Sequence, residues 1–454
     1  MTDFESKTLA ELHELAAKAG IEGFRRKRRE DLVDELDTSG GGSGSDSDGS
    51  GDSGDGGESE GDRPRRRRSR GGRDRSRRGG GGQSSGGDKD RDRKDRDRDD
   101  SKDEEADELS DAAGVLEVQP RGSGLIRGEG LPEAGVYVSP AQIRRCELRS
   151  GDQVAGPVRP ARRGERRPSL VRVETVNGEP PTDERGPAFE GLTAIAPHRQ
   201  IPIKADGEDL LARAADLLAP LGFGQRVLVE ASPRSGRTTL LKSLTKAIVA
   251  GSEEGPEVIV LLVDERPEEV TAWTREVTGA AIEAAPADLG ANEQVKVAER
   301  VLAKVRRQAE AGDDVVLVVD SLTRLGTAYG EAGSIKPFFG SGRELEEESA
   351  GSVTVIATVL SGIEGDQAVL EAVRTTENST IRLDADLAAA GIAPSIDASA
   401  CTISGQENLI SEAAVEGLRK LRADLAGMEP KAAAEKIAGL IKDSESNQQL
   451  LEKL

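Results

Sequence analysis

The stretch Arg226-Val-Leu-Val-Glu-Ala-Ser-Pro-Arg-Ser-Gly-Arg-Thr-Thr-Leu-Leu241 constrains this chain more than any other. A β-branched run enters a tight loop containing Pro and Gly and leaves as a helical pattern, the setting a phosphate-binding loop requires. Backbone N–H groups in such a loop, together with the start of the helix, form a cradle for an anion. The core, Ala231-Ser-Pro-Arg-Ser-Gly236-Arg237-Thr238, departs from GxxxxGK[ST] in two places. Ala231 replaces the first Gly, and Arg237 stands where a Lys would reach the outer phosphates. Arginine keeps the charge, but its planar fork is not equivalent to an ammonium. Thr238 still offers a hydroxyl to Mg2+.

Such a loop belongs at the end of a strand, and the surrounding sequence supplies a sheet. Short β-branched runs lie at residues 226–230, 258–263, 315–319, 353–358 and 380–383, with Val295, Ala298, Leu302 and Val305 at helical spacing between them. Alternating strands and helices of this kind give an α/β domain with a parallel sheet and crossover helices. Two runs end in carboxylates, Asp264-Glu265 and Asp320-Ser321. Ligands of open parallel sheets lie at the carboxyl ends of the strands, so these ends converge with the loop. Asp320 suits the acidic residue that orients Mg2+, and Glu265 suits a base polarising an attacking water.

Upstream the composition changes twice. Only 35% of the 454 residues are hydrophobic and 2% aromatic, with 54 glycines, so part of the chain cannot build a core. That part is residues 37–107: Gly, Ser and Asp dominate to 62, an Arg-rich block spans 63–78, and Asp, Arg and Lys then alternate. A disordered linker is expected there. The Arg-rich block reads either as an RNA-binding arm or as a solubilising linker. Residues 1–36 read as a small helical cap, with Leu9, Leu12 and Ala16 in one helix and Leu32, Val33 and Leu36 in another. Arg25 to Arg29 between them suits a solvated helix start or a phosphate contact equally. Residues 108–180 carry five short strand patterns, at 115–118, 125–127, 136–138, 153–155 and 170–173, which suits a barrel of the OB type. Residues 181–454 hold the α/β domain and a helical tail.

The net charge of −21 argues against nucleic acid as a partner unless positive charge is clustered, as it is here. Cys146 and Cys401 have no CxxC or His neighbour, which leaves two buried thiols rather than a zinc site. No apolar run approaches the ~20 residues that span a membrane. The first residues lack the order of a signal peptide, so a cytoplasmic protein without a membrane partner is expected.

The run Asp264-Glu265-Arg266-Pro267-Glu268-Glu269-Val270-Thr271 resembles the signature after the second core strand in the transcription termination factor Rho family. Ordered matches extend along the chain from Gly114. They include Tyr137-Val-Ser-Pro-Ala-Gln-Ile-Arg-Arg, Phe189-Glu-Gly-Leu-Thr, Gly222-Phe-Gly-Gln-Arg, Asp320-Ser-Leu-Thr-Arg-Leu and Lys336-Pro-Phe-Phe-Gly-Ser-Gly-Arg-Glu-Leu-Glu-Glu. Residues 1–36 also look like that family's N-terminal cap. The resemblance implies a RecA-type ATPase domain using ATP and Mg2+. It implies a homo-oligomer, a hexameric ring that binds single-stranded RNA on its barrel and threads it through the centre. RNA polymerase or a full-length Rho would be the protein partners. By the same resemblance Glu265 activates water, Asp320 and Thr238 associate with the metal, and Arg237 and Arg324 lie near the phosphates. Gly222, Phe223, Gly224, Gln225, Arg226, Val227, Arg234, Ser235, Gly236, Thr239 and Arg266 would contact nucleotide. Tyr137, Arg127, Arg144 and Arg145 would contact RNA, although Tyr137 reads as well as a half-buried strand aromatic.

Three features depart from the family. Its arginine finger aligns with Ala385, with Arg382 nearby on a strand; losing a finger costs ~10³–10⁵ in rate where one is needed. The RNA-gripping loop between Tyr329 and Lys336 is largely deleted, and the second pore loop, residues 361–367, carries Glu364 and Asp366 where a lysine is expected. The barrel's paired aromatics are replaced by Gly122-Ser123-Gly124-Leu125, and each lost stacked base costs roughly 1–3 kcal/mol. Two functions remain: an RNA-dependent, ATP-driven translocase acting in termination, or an impaired relative that binds nucleotide or RNA and modulates a full-length Rho ring.

Overall fold

Alternating inward and outward residues close the first part of the structure into a barrel. The computed structural model describes residues 109–454 except 129, 183–184, 206–208, 252–254 and 364–365, so the expected cap, the linker and Glu364 lie outside the described residues. Strands β1 (Ser110–Val118), β2 (Gly124–Arg127), β3 (Val136–Val138), β4 (Gln153–Arg159), β5 (Ser169–Leu170) and β6 (Thr175–Val176) run in the order β1-β2-β3-β5-β4-β6. β1 also pairs with β4, which closes the sheet on itself. Leu116, Ile126, Val136, Val138, Val154 and Leu170 fill the interior.

Helix α1 (Pro140–Arg145) follows β3 through a capping box. Ser139 Oγ accepts from the Gln142 N–H at 3.3 Å, and Gln142 Oε1 accepts from the Ser139 N–H at 2.9 Å. Gln142 Nε2 donates to the carbonyls of Leu170 and Val171 at 3.0 and 3.2 Å. The strand expected over residues 170–173 is therefore shorter than its apolar pattern suggests. Gln142 takes carbonyls that a longer ladder would use, and between β5 and β6 only single bonds to β4 remain, from the Val171 N–H to the Pro157 carbonyl and from the Glu174 N–H to the Ala155 carbonyl.

The larger sheet comprises β7 (Ala194–Ile195), β8 (Arg226–Ala231), β9 (Glu257–Val263), β10 (Ala281–Ala285), β11 (Asp314–Asp320), β12 (Arg343–Leu345), β13 (Ser352–Leu360), β14 (Ser379–Arg382) and β15 (Thr402–Ile403). Its path is β10-β9-β11-β13-β8-β14-β15, parallel throughout except for the antiparallel β15; β12 and β7 add antiparallel pairs at one side. The helices are α2 (Leu210–Leu218), α3 (Arg237–Val249), α4 (Pro267–Glu276), α5 (Ala291–Glu310), α6 (Leu322–Tyr329), α7 (Lys336–Phe339), α8 (Asp366–Val373), α9 (Ala385–Ala389), α10 (Glu412–Leu425), α11 (Pro430–Lys442) and α12 (Asn447–Lys453). Strand interiors are apolar on both faces because both faces are covered. Val258, Val260, Leu262, Val316 and Val318 enter one core, while Ile259, Leu261, Val263, Val315 and Leu317 enter the other.

The barrel docks on α5. Gly151, at φ 93°, leaves no room for a side chain there: an added Cβ would lie 2.2 Å from the Ala303 carbonyl carbon. Arg149 pairs with Glu310 at 3.3 Å, and Arg185 pairs with Asp152 at 2.7 Å. Among the described residues no helix is long and apolar enough to cross a membrane.

Candidate functional site

β8, β9 and β11 aim their C-terminal ends at one crevice. β8 runs into a loop in which the Ser235 N–H and Oγ both bond the Ser232 carbonyl, at 3.2 and 2.8 Å. Arg234 is exposed at φ 65°. Gly236, at φ 91°, is the N-cap of α3, so the first turn with Arg237, Thr238 and Thr239 presents unpaired N–H groups and the positive dipole end. Ser395 braces this loop, donating from Oγ to the Ser235 carbonyl at 3.2 Å. No local motif marks Ser395; only the fold brings it there.

Glu265 and Asp320 are buried at the ends of β9 and β11. Arg237 lies between them, with Nη2 2.7 Å from Glu265 Oε1 and Nε 3.2 Å from Asp320 Oδ1. Arg324, in the first turn of α6, also pairs with Glu265 Oε1. Thr358 of β13 donates to Asp320 Oδ1 at 3.1 Å. Burial pushes the Asp320 carboxyl above the usual carboxylate range; Arg237 opposes that rise and Glu265 adds to it. Asp320 Oδ2 is buried with no hydrogen-bond partner. An orphaned carboxylate oxygen beside a helix start fits a hydrated cation that arrives with phosphate, and Thr238 and Asp320 are the residues that would hold it. Magnesium uses one or two carboxylates plus phosphates rather than a protein cage. In keeping with that, the described residues contain no cluster of three or more His, Cys, Asp or Glu able to hold a metal.

Two other candidates sit at the rim. Arg266 is the exposed N-cap of α4. Asp264, at φ 54°, lies 3.4 Å from the Gln294 amide.

Gly222, Phe223, Gly224 and Gln225 lead into β8, and Arg226 and Val227 open it, at the end of the strand opposite the phosphate loop. Packing takes up their polar groups. Gln225 donates to the Pro220 carbonyl at 3.1 Å and accepts from the Gly222 N–H at 3.0 Å. Arg226 donates to the Gly342 carbonyl at 2.6 Å, and Arg199 stacks 4.7 Å from the Phe223 ring centre.

Ala385 opens α9, and Arg382 pairs with Glu230 at 2.9 and 2.6 Å. Asp366 folds inward on its own loop, accepting from the N–H groups of Gly362 and Ile363 at 2.5 and 3.3 Å. Between Tyr329 and Lys336 the chain makes one 3₁₀ turn, Ala332–Ile335.

On the barrel, a groove of about 750 Å³ is lined by Tyr137, Arg145, Arg159, Arg162, Glu165, Arg166, Arg167 and Val171, among others. Tyr137 faces outward because Val136 and Val138 take the core. Tyr137 and Val171 are 36% and 45% exposed, an open apolar pair inside a ring of guanidiniums. Arg159 grips Glu165 at 2.6 and 2.7 Å and holds its carboxyl down at about 2. Arg127 is not part of this groove: it bonds Glu117 at 3.0 Å and the Glu133 carbonyl at 2.9 Å. Arg144 is exposed on α1 outside the lining. Leu125, where an aromatic was expected, is buried.

A closed barrel with a basic groove, set ahead of a parallel sheet with a phosphate loop, defines a nucleic-acid-binding P-loop protein. Residues 112–182 match the Rho termination factor RNA-binding domain, 212–337 the ATP synthase alpha/beta nucleotide-binding domain, and 3–36 the Rho termination factor N-terminal domain. The transcription termination factor Rho of Rhodopirellula baltica is 34% identical over 374 residues, 76% of this chain and 72% of that protein. That of Bacillus subtilis is 36% identical, covering 77% and 86%. That of Chromobacterium violaceum is 37% identical, covering 74% and 86%. The chain belongs to the transcription termination factor Rho family.

Proposed function

We propose that the chain acts in transcription termination as a ring of copies, probing single-stranded RNA with its barrel and hydrolysing ATP with Mg2+ to move along it. The meeting of Arg237, Glu265 and Asp320 at three strand ends, with an orphaned oxygen on Asp320, carries this reading. The loop after β8 and the start of α3 hold the phosphates through backbone N–H groups. Magnesium bound with the nucleotide would neutralise charge developing on the transferred phosphoryl group. Asp320 and Thr238 would hold it, while Glu265 would orient and polarise the attacking water through Oε2, since Oε1 faces Arg237 and Arg324. Arg234, Ser235, Gly236, Thr239 and Arg266 line the approach.

On the barrel, Tyr137 stacks one base beside Val171, and Arg145, Arg166 and Arg167 take flanking phosphates. RNA polymerase is the protein partner this role requires.

The test is ATP hydrolysis by the whole chain with and without single-stranded RNA, with Glu265→Gln as the blank. RNA-stimulated turnover that the substitution abolishes is the expected result. Nucleotide binding with no turnover above the blank would remove the motor function.

A further inference from the structure

The side chain at the phosphate-loop lysine position is a guanidinium, which reaches farther and offers more widely spaced donors than an ammonium. Arg237 makes two contacts at once, Nη2 to Glu265 and Nε to Asp320, 2.7 and 3.2 Å away. An ammonium is a single point charge, whereas a guanidinium presents donors along a rigid fork and spans two carboxylates. All three side chains are enclosed, at 14%, 7% and 0% exposure, so the charges act in a medium where an uncompensated carboxylate is costly.

We propose that Arg237 is an internal counter-cation that Mg2+ displaces: it neutralises Glu265 and Asp320 until the metal takes over Asp320, and only then turns to the nucleotide phosphates. This rests on the nucleotide-site reading above. Turning Arg237 toward the phosphates draws Nη2 off Glu265 and Nε away from Asp320. Glu265 keeps Arg324 when Arg237 leaves, but Asp320 keeps only the Thr358 hydroxyl on Oδ1 and the field of Arg324, with nothing on Oδ2. Recruitment of Arg237 to phosphate therefore exposes Asp320 unless a cation replaces it. Metal and nucleotide each make the other's binding easier, and the two effects are equal by linkage.

The experiment titrates the full chain with a fluorescent ADP analogue, in excess Mg2+ and in EDTA. Mg2+ is expected to tighten binding ~10-fold or more in the wild type, within the usual span for coupled sites. Arg237→Lys keeps the charge but lacks the reach and the separated donors of the guanidinium, so it should hold the carboxylate pair less firmly. Its Mg2+ effect should shrink by ~3-fold or more, chiefly through tighter binding in EDTA. Glu265→Gln removes one partner of Arg237 and should shrink the effect in the same direction, which keeps the test decisive if the lysine variant fails to fold. An Mg2+ effect of equal size in all three proteins would overturn the proposal and leave the nucleotide site standing. No binding by the wild type even with Mg2+ would overturn the nucleotide reading, and the proposal with it.

Discussion

In the proposed reading Tyr137 carries base recognition by the barrel, since it is exposed while Leu125 is buried. Tyr137→Ala is expected to weaken binding of short single-stranded RNA by ~1–3 kcal/mol, read by fluorescence anisotropy. Arg166→Ala with Arg167→Ala should instead flatten the salt dependence, by a slope of ~0.7 for each phosphate no longer neutralised. An unchanged affinity in Tyr137→Ala would return the ring to the barrel wall. Glu265 and Asp320 were legible in the sequence because a carboxylate ending a fully apolar run has little structural reason to be there. The partners of Arg237 were not legible, since its contacts with β9 and β11 exist only once the strands lie side by side. The Gly222 to Val227 segment was legible as a motif, but its place at the start of β8, away from the phosphate loop, came only with the fold.

Among the elements, α2 shows how a single buried group ties the sheet domain to its helical tail. Asp216 accepts from the Leu221 N–H at 3.1 Å and from Asn447 Nδ2 at 2.8 Å, while Arg213 donates to the Ser444 carbonyl at 2.7 Å. Burial pushes the Asp216 carboxyl up, and the Asn447 and Leu221 bonds only partly restore it. With the folded value above the unfolded one of about 3.9, the native state holds the extra proton. Stability from this group is therefore present at low pH and is lost as pH rises from about 4 through the folded value. Thermal midpoints of wild type and Asp216→Asn, measured from pH 4 to 8, should show the wild type losing ground as pH rises. A constant offset would assign the ionisation elsewhere. The elements differ in how far sequence foretold them. β9 and β11 are apolar on both faces and announce themselves, whereas β10 is Ala-Ile-Glu-Ala-Ala and becomes a strand only through its parallel register on β9. β5 stops early because a glutamine from α1 competes for its carbonyls.

At the scale of the whole molecule, the proposed nucleotide site has cations from its own chain, while Ala385, which the family resemblance aligns with an arginine finger, opens α9 beneath the Asp384 cap. Ala385→Arg should raise RNA-stimulated turnover at least ~10-fold, a fraction of the ~10³–10⁵ a finger can supply. If copies complete each other's sites, the gain should appear in the assembled fraction separated by size with light scattering and be missing from isolated chains. A gain of equal size in isolated chains would count against completion between copies. The barrel and the sheet both pack on α5, about 30 Å long. Its second half, residues 300–310, has no exposed position. Gly151 presses on the backbone at Ala303, Lys304 pairs with Glu257 at the start of β9, and Glu310 takes the Phe189 N–H. A helix crowded on every side has almost no neutral substitutions open to it. If drift follows packing, this half-helix is where it should be slowest, and where a change on one side demands an answering change on another.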